Sequence, residues 1–110
     1  MKKNKIICCD FDGTLTTYKS GQFPSIGKPI HKTIKRLLNE KKNGAKIILW
    51  TCRCNEHLDD AVEWCRQLGI EFDAVNANLP EAIVINHGND PRKVYATEYW
   101  DDRAINTEDL

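Results

Sequence analysis

The sequence predicts an α/β fold built on a parallel sheet that is doubly wound, in other words Rossmann-like, with helices on both faces. Residues 5–9 and 45–50 form short, continuously apolar runs, which are typical of strands buried on both faces. Segments with helical periodicity alternate with these runs, and this alternation indicates parallel strands joined by helical crossovers. A chain of 110 residues has room for one such domain, which we assign to residues 1–110.

The first half of the chain predicts a strand, a loop and a helix. The strand at 5–9 runs into Asp10-Phe11-Asp12-Gly13, where Gly13 supplies the turn that ends it. Residues 17–29 contain two Gly and two Pro and are therefore predicted to form a loop. Apolar residues at helical spacing predict a helix over 30–42, which Asn43-Gly44 ends.

The second half predicts strand, helix, strand, an ambiguous segment and a last strand. The strand at 45–50 is closed by Thr51, and Asn55 is the predicted N-cap of a helix that stops at Gly69. Further strands are predicted over 72–75 and 94–100. Within 80–87 a proline favours a helix start whereas the following β-branched run favours a strand, and we favour a short helix.

Bulk composition excludes several classes of protein. The 16 Lys and Arg balance the 16 Asp and Glu, so the neutral chain has no global field to attract nucleic acid or an acidic membrane. No apolar run approaches the ~20 residues of a membrane span, and the run at 6–9 is too short for a signal sequence. Five cysteines in no metal-binding spacing are most simply reduced thiols. A cytoplasmic protein is the expectation.

Side chains suited to chemistry follow the predicted strands. Asp10 and Asp12 follow the first strand, Thr51 the second, and Asp101 with Asp102 the last. Because ligands bind beyond the carboxyl ends of parallel strands, these residues are expected to converge. Clustered carboxylates repel one another unless a cation lies among them, and Mg²⁺ prefers carboxylate and phosphate oxygens. The pattern therefore predicts a magnesium site.

Four stretches resemble the motifs of the haloacid dehalogenase (HAD) superfamily. The heptapeptide Asp10-Phe-Asp-Gly-Thr-Leu-Thr16 looks like the first motif, and Thr51 after an apolar strand looks like the second. Lys93 resembles the lysine of the third motif, with the adjacent Arg92 as the alternative, and Asp101-Asp102 resembles the fourth in its two-aspartate form. All four occur in family order and span residues 10–102.

The resemblance implies a Mg²⁺-dependent phosphatase with a role for each of these residues. Asp10 is the implied nucleophile, which becomes an aspartyl phosphate, and Asp12 the implied general acid and base. Thr51 and Lys93 would bind the phosphoryl oxygens. The metal ligands would be Asp10, the backbone carbonyl of Asp12 and Asp102, with Asp101 as a ligand or a support; the sequence does not decide which of the last two binds directly.

Several features of a HAD-type site are left open by the sequence. Arg53 and Arg103 flank motifs, and each either binds substrate or forms a structural ion pair. Asn76 and Asn78 follow the third strand and either touch substrate or form a turn. The intervals between the motifs have no space for a cap domain, so the site is expected to be open unless loop 17–29 or another subunit covers it.

The expected substrate is a small phosphorylated metabolite such as a nucleotide or a sugar phosphate. A phosphatase acting on a phosphoprotein or a nucleic-acid end is the alternative within this class, although neutral charge argues against a polynucleotide. A non-catalytic binding module that keeps the HAD fold is the other alternative. A receiver-type signalling domain fits less well. In receivers the acidic pair comes first, the phospho-acceptor Asp follows on a later strand and Lys comes last, whereas in this chain the second acidic pair follows the Lys. Homodimer formation is left open.

Overall fold

A parallel sheet of four strands organises the part of the chain that the computed structural model describes, residues 4–110. The strand order is β3-β2-β1-β4, and every neighbouring pair is parallel. The elements, in chain order, are β1 (Ile6–Cys9), α1 (His31–Lys42), β2 (Lys46–Leu49), α2 (Asn55–Gln67), β3 (Ala74–Val75), α3 (Pro80–Ile85), β4 (Glu98–Trp100) and a 3₁₀ turn at Thr107–Asp109. The predicted α/β alternation is confirmed, and the arrangement is compatible with a Rossmann-like fold. Residues 1–3 of the predicted domain lie outside the described residues.

Helices α1 and α2 pack on one face of this sheet. Alternate residues of β1 and β2, such as Ile7 and Ile47, share one core cluster with Leu37 of α1 and Cys65 of α2. The opposite face carries a smaller cluster formed by Cys8, Ile48, Leu79 and Val94. Right-handed crossovers explain this division, since the chain moves outward from β1 to β3 and then returns to the other side of β1.

Strand β1 lies at the centre of the sheet and sets its register. Cys9 pairs with Leu49 on one side and with Trp100 on the other. The ladder continues one residue further, because the Asp10 N–H donates to the Trp100 carbonyl (2.9 Å) and the Trp50 N–H donates to the Cys9 carbonyl (2.9 Å). The carboxyl ends of β1, β2 and β4 are therefore level with one another.

The structure corrects several predicted boundaries. Strand β3 is shorter than the predicted 72–75. Strand β4 is shorter than the predicted 94–100, because the Tyr95 N–H donates to the Asn78 side chain rather than to a neighbouring strand (2.7 Å). The ambiguous segment forms a helix, as we favoured. The predicted N-cap was wrong by one residue: Cys54 precedes the helix, and Asn55 adopts the left-handed conformation that Asn tolerates (φ 52°).

The cysteine side chains are buried or exposed according to their place in the fold. All five cysteines are free, and burial raises the pKa of the Cys8 and Cys65 thiols to about 12. These two side chains therefore pack as small apolar groups. No helix within residues 4–110 has the length and apolar character needed to cross a bilayer.

Asp73, directly before β3, is bonded to α1 and to β2 and is expected to stabilise the fold. Its Oδ2 accepts hydrogen bonds from the Lys41 ammonium at the end of α1 (2.8 Å) and from the Ile47 N–H of β2 (2.8 Å). Replacing Asp73 with Ala should lower the free energy of unfolding by about 2 kcal/mol, because it removes two charge-assisted hydrogen bonds. Urea denaturation measures this loss, with Asp60→Ala on the exposed side of α2 as the control.

Acid titration provides a second test of the same contact. Burial alone would raise the pKa of Asp73, but the hydrogen bonds from Lys41 and from the Ile47 N–H outweigh it and hold this pKa below its ordinary value of 3.8. The stabilisation is therefore present above that ordinary value and is lost as the pH falls through the lower folded pKa. The difference in unfolding free energy between the unaltered protein and Asp73→Ala should therefore shrink in strong acid, and a difference that stayed constant would contradict this assignment.

Candidate active site

Three carboxylates meet at the carboxyl edge of the sheet, between β1 and β4. Asp10 follows β1, whereas Asp101 and Asp102 follow β4. Each offers an oxygen, and these oxygens all lie within 4.8 Å of one another. The crossovers on either side of β1 run over opposite faces, so this is the point where the strand order reverses and where open α/β sheets bind ligands.

The electrostatics of this group suit a cation. Burial raises the pKa of Asp10 to about 6; a hydrogen bond from the Phe11 N–H partly opposes the rise, and the charges of Asp101, Asp102 and Asp12 add to it. Within residues 4–110, no Lys or Arg side chain forms an ion pair with Asp10, Asp101 or Asp102. A hard divalent ion such as Mg²⁺ fits a donor set of carboxylate oxygens and would offset their repulsion.

Gly13 and Thr14 fix Asp102 beside Asp10. The buried Thr14 hydroxyl accepts a hydrogen bond from the Asp102 N–H (3.0 Å) and lies 3.4 Å from Asp10 Oδ2. Gly13 has a φ of +90°, and a Cβ at this position would lie 2.5 Å from Asp102 Oδ2. The glycine therefore provides room for the carboxylate as well as the turn. Sequence reasoning did not assign Thr14 a role, although its place in the first motif was a signal.

Asp12 lies apart from the three-carboxylate group because it pairs with Arg53. The guanidinium donates from Nε to Asp12 Oδ2 and from Nη2 to Asp12 Oδ1, both at 2.8 Å. Arg53 is only 2% exposed, and its charge lies 5.1 Å from the ring centroids of both Phe11 and Phe23. The sequence left open whether Arg53 binds substrate or forms a structural ion pair, and in the structure it forms an ion pair with Asp12. The Asp12 backbone carbonyl, rather than its carboxylate, stays the predicted metal ligand.

Thr51 and the two asparagines organise the loop after β2. The Thr51 N–H donates to Asn76 Oδ1 (2.8 Å), and the Thr51 hydroxyl accepts from the Arg53 N–H (3.2 Å). Asn78 is buried, where its amide donates to Asp90 (2.8 Å) and its Oδ1 accepts from Tyr95. Both asparagines therefore have structural partners, which are distant in sequence and so join loops rather than close a local turn.

One pocket of about 450 Å³ contains most of the predicted site. Four acids, a hydroxyl, a thiol, two arginines and two aromatic rings line it: Asp10, Asp12, Asp101, Asp102, Thr51, Cys52, Arg53, Arg103, Tyr18 and Phe23. Tyr18 and Phe23 come from loop 17–29, and sequence reasoning did not single them out because a loop has no periodicity to read. Five of the six residues predicted for catalysis or metal binding thus line this one pocket, and Thr51 is among them.

Lys93 is the predicted site residue that does not line this pocket. Its side chain is exposed, as is that of Arg92 beside it. The basic residues that line the pocket are Arg53, which is paired with Asp12, and Arg103. The phosphate-binding role of Lys93 stays a prediction.

Comparison with known proteins identifies a similar solved structure. No protein-family model matches the chain, and no curated protein matches it either. Among solved structures, a conserved protein coded by a locus of Bacteroides thetaiotaomicron is similar, with a TM-score of 0.80 and 36% sequence identity. The match covers 94% of this chain and 79% of that protein. At this identity and coverage, the chain belongs to the same family as the Bacteroides thetaiotaomicron protein.

Proposed function

We propose that this protein is a small HAD-type phosphatase without a cap domain, which hydrolyses phosphomonoesters with Mg²⁺ through an aspartyl phosphate on Asp10. The observation that supports this most strongly is the meeting of Asp10, Asp101 and Asp102 within 4.8 Å, in one pocket with Asp12 and Thr51. The resemblance of these residues to the first, second and fourth HAD motifs also supports it. A small phosphorylated metabolite is the proposed substrate.

The proposed reaction has two displacements at phosphorus. In the first, an Asp10 carboxylate oxygen bonds to phosphorus while the ester P–O bond breaks, and Asp12, which enters this step as the protonated acid, gives its proton to the departing oxygen. In the second, Asp12 takes a proton from water, the water oxygen bonds to phosphorus, and the bond to Asp10 breaks. The products are the alcohol and inorganic phosphate, and Asp10 and Asp12 return to their starting states.

Other residues would stabilise the charge on the phosphoryl oxygens. The Thr51 hydroxyl accepts a bond from the Arg53 N–H, and within the described part of the chain its own O–H has no acceptor, so it is free to donate. Lys93 is the proposed cationic partner of the phosphoryl group. Asp10, Asp102 and the Asp12 carbonyl would hold Mg²⁺, with Asp101 as a ligand or a support, and the ion would supply positive charge where negative charge accumulates.

Purified protein is expected to release phosphate from an aryl phosphate only when Mg²⁺ is present. EDTA should abolish the release and excess Mg²⁺ should restore it, because without the ion the clustered carboxylates repel an incoming phosphate. Calorimetric titration with Mg²⁺ provides a readout that does not depend on turnover, and Asp102→Asn should weaken the measured binding.

Three outcomes would each contradict a different part of this proposal. Mg²⁺ binding at Asp102 with no phosphate release from a broad panel of phosphomonoesters would favour a non-catalytic HAD-fold binding module. Release that EDTA leaves unchanged would contradict the metal. Turnover of phosphopeptides or nucleic-acid ends, with none of small metabolites, would instead change the substrate class and keep the chemistry.

A further inference from the structure

Two exposed aromatic side chains border the pocket that contains the carboxylates. Tyr18 and Phe23, both on loop 17–29, are 38% and 49% exposed and line the same pocket as Asp10 and Asp12. Aromatic side chains of this size usually bury most of their surface, and their flat faces stack on other rings. Their position therefore raises the question of what these two rings contact when substrate is bound.

The Phe23 ring is held in place by contacts on the protein side. Its centroid lies 5.2 Å from the His57 ring in an edge-to-face arrangement, and 5.1 Å from the guanidinium carbon of Arg53. Arg53 also donates to the Pro24 carbonyl directly after Phe23 (3.0 Å). A ring that is positioned before binding loses little freedom when it accepts a ligand.

The base of loop 17–29 is also closed by hydrogen bonds. The Thr17 N–H donates to the Lys28 carbonyl (2.8 Å), and the Lys28 N–H donates back to the Thr17 hydroxyl (2.9 Å). The Ile30 N–H then donates to the Leu15 carbonyl (2.8 Å). These bonds fix both ends of the loop beside the first motif, so Tyr18 and Phe23 are parts of the site's wall.

The ring of Phe23 borders the side of the pocket where the leaving group would lie. In the proposed reaction Asp12 faces the departing oxygen, and both Asp12 oxygens are bonded to Arg53. Arg53 in turn contacts the Phe23 ring. The alcohol part of the substrate would therefore meet an aromatic surface, whereas the phosphoryl group meets the carboxylates and the cation.

We propose that Tyr18 and Phe23 form an aromatic subsite that selects phosphomonoesters whose leaving alcohol carries a flat ring, namely nucleoside monophosphates, over sugar phosphates. This inference rests on the proposed phosphatase function and specifies its substrate class. Stacking of a nucleobase on an aromatic side chain gives about 10- to 100-fold in binding. The base would account for most of the discrimination, since sugar and phosphate are common to both kinds of ester.

A matched pair of substrates tests the subsite. Adenosine 5′-monophosphate and ribose 5-phosphate share the phosphoryl group and the sugar, so the ratio of their kcat/KM values reports the base. We expect a ratio of at least about 10 in the unaltered protein. Phe23→Leu and Tyr18→Leu should each lower this ratio towards one. Tyr95→Leu, which changes an exposed tyrosine outside the pocket, should leave it unchanged.

Acetyl phosphate and a binding measurement separate failure of this inference from failure of the phosphatase. Mg²⁺-dependent hydrolysis of acetyl phosphate with equal kcat/KM for the matched pair would overturn the aromatic subsite and keep the phosphatase. If neither acetyl phosphate nor any ester is hydrolysed, the phosphatase is overturned. Calorimetry then measures whether the matched pair binds with different affinities, which tests the subsite without turnover. The subsite would be supported if the nucleotide binds more tightly than ribose 5-phosphate and Phe23→Leu removes this difference. Equal binding of the two compounds would overturn the subsite.

Discussion

Replacement of Asp10 with Asn is expected to lower phosphate release by at least about 10⁴-fold, comparable to the loss of the nucleophile in other covalent enzymes. An amide oxygen is a much weaker nucleophile than a carboxylate, and the change removes one of the three charges that would hold the cation. The fold should survive, because Asn has nearly the same shape and Asp10 is only partly buried. Steady-state release of phosphate from an aryl phosphate measures the effect.

The control for this variant is the same chemical change elsewhere. Asp59→Asn, on the exposed side of α2, should leave the rate unchanged. Rapid acid quenching followed by mass spectrometry of the peptide that contains Asp10 should detect a phosphoryl group in the unaltered protein and none in Asp10→Asn. Retention of most of the activity by the variant would end the assignment of Asp10 as nucleophile, whatever the metal does.

The convergence of the acidic residues was predictable because strand topology dictates it. Asp10 follows a central strand and Asp101 follows the neighbouring one, so recognising both strands and a reversal of order is sufficient to bring the two residues together. The short helix at Pro80–Ile85 was harder, since proline and the β-branched run give opposite signals. Periodic elements were thus readable, and their exact ends were not.

The contacts made by loops could not be read from the sequence in the same way. Asp12 and Arg53 are 41 positions apart, and their pairing depends on how the turn after β1 and the loop after β2 fold against each other. Lys93 precedes Val94 in an irregular segment whose path no strand fixes, and it is exposed outside the pocket. Phe23 lies in a loop rich in Gly and Pro, where sequence predicts the turn but not the surface that its ring faces.

Replacement of Arg53 with Met is expected to reduce both stability and catalysis, because this residue connects the general acid to the fold. Removing one partner of a buried ion pair leaves an uncompensated charge, which costs several kcal/mol. Asp12 keeps 20% of its side chain exposed, so water can partly replace the guanidinium. We therefore expect a loss of about 3 kcal/mol in the free energy of unfolding, measured by urea denaturation.

The catalytic effect of Arg53→Met should depend on the leaving group. A misplaced Asp12 matters most when the departing oxygen must receive a proton, so kcat/KM for glycerol phosphate should fall about 10²-fold. Acetyl phosphate, whose leaving carboxylate needs no proton, should lose about 10-fold or less. Equal losses for glycerol phosphate and acetyl phosphate would mean that Arg53 does not act through Asp12.

Arg53→Lys separates the charge of this residue from its geometry. A lysine keeps the positive charge, but one ammonium nitrogen cannot reproduce the two parallel hydrogen bonds that now fix both Asp12 oxygens at 2.8 Å. Part of the lost stability should therefore return, while the selective defect towards glycerol phosphate persists. Full recovery of that activity would show that charge near Asp12 is sufficient and that the bidentate contact is dispensable. The persistent defect is the expected result, because a general acid works only when its proton lies within hydrogen-bonding reach of the departing oxygen.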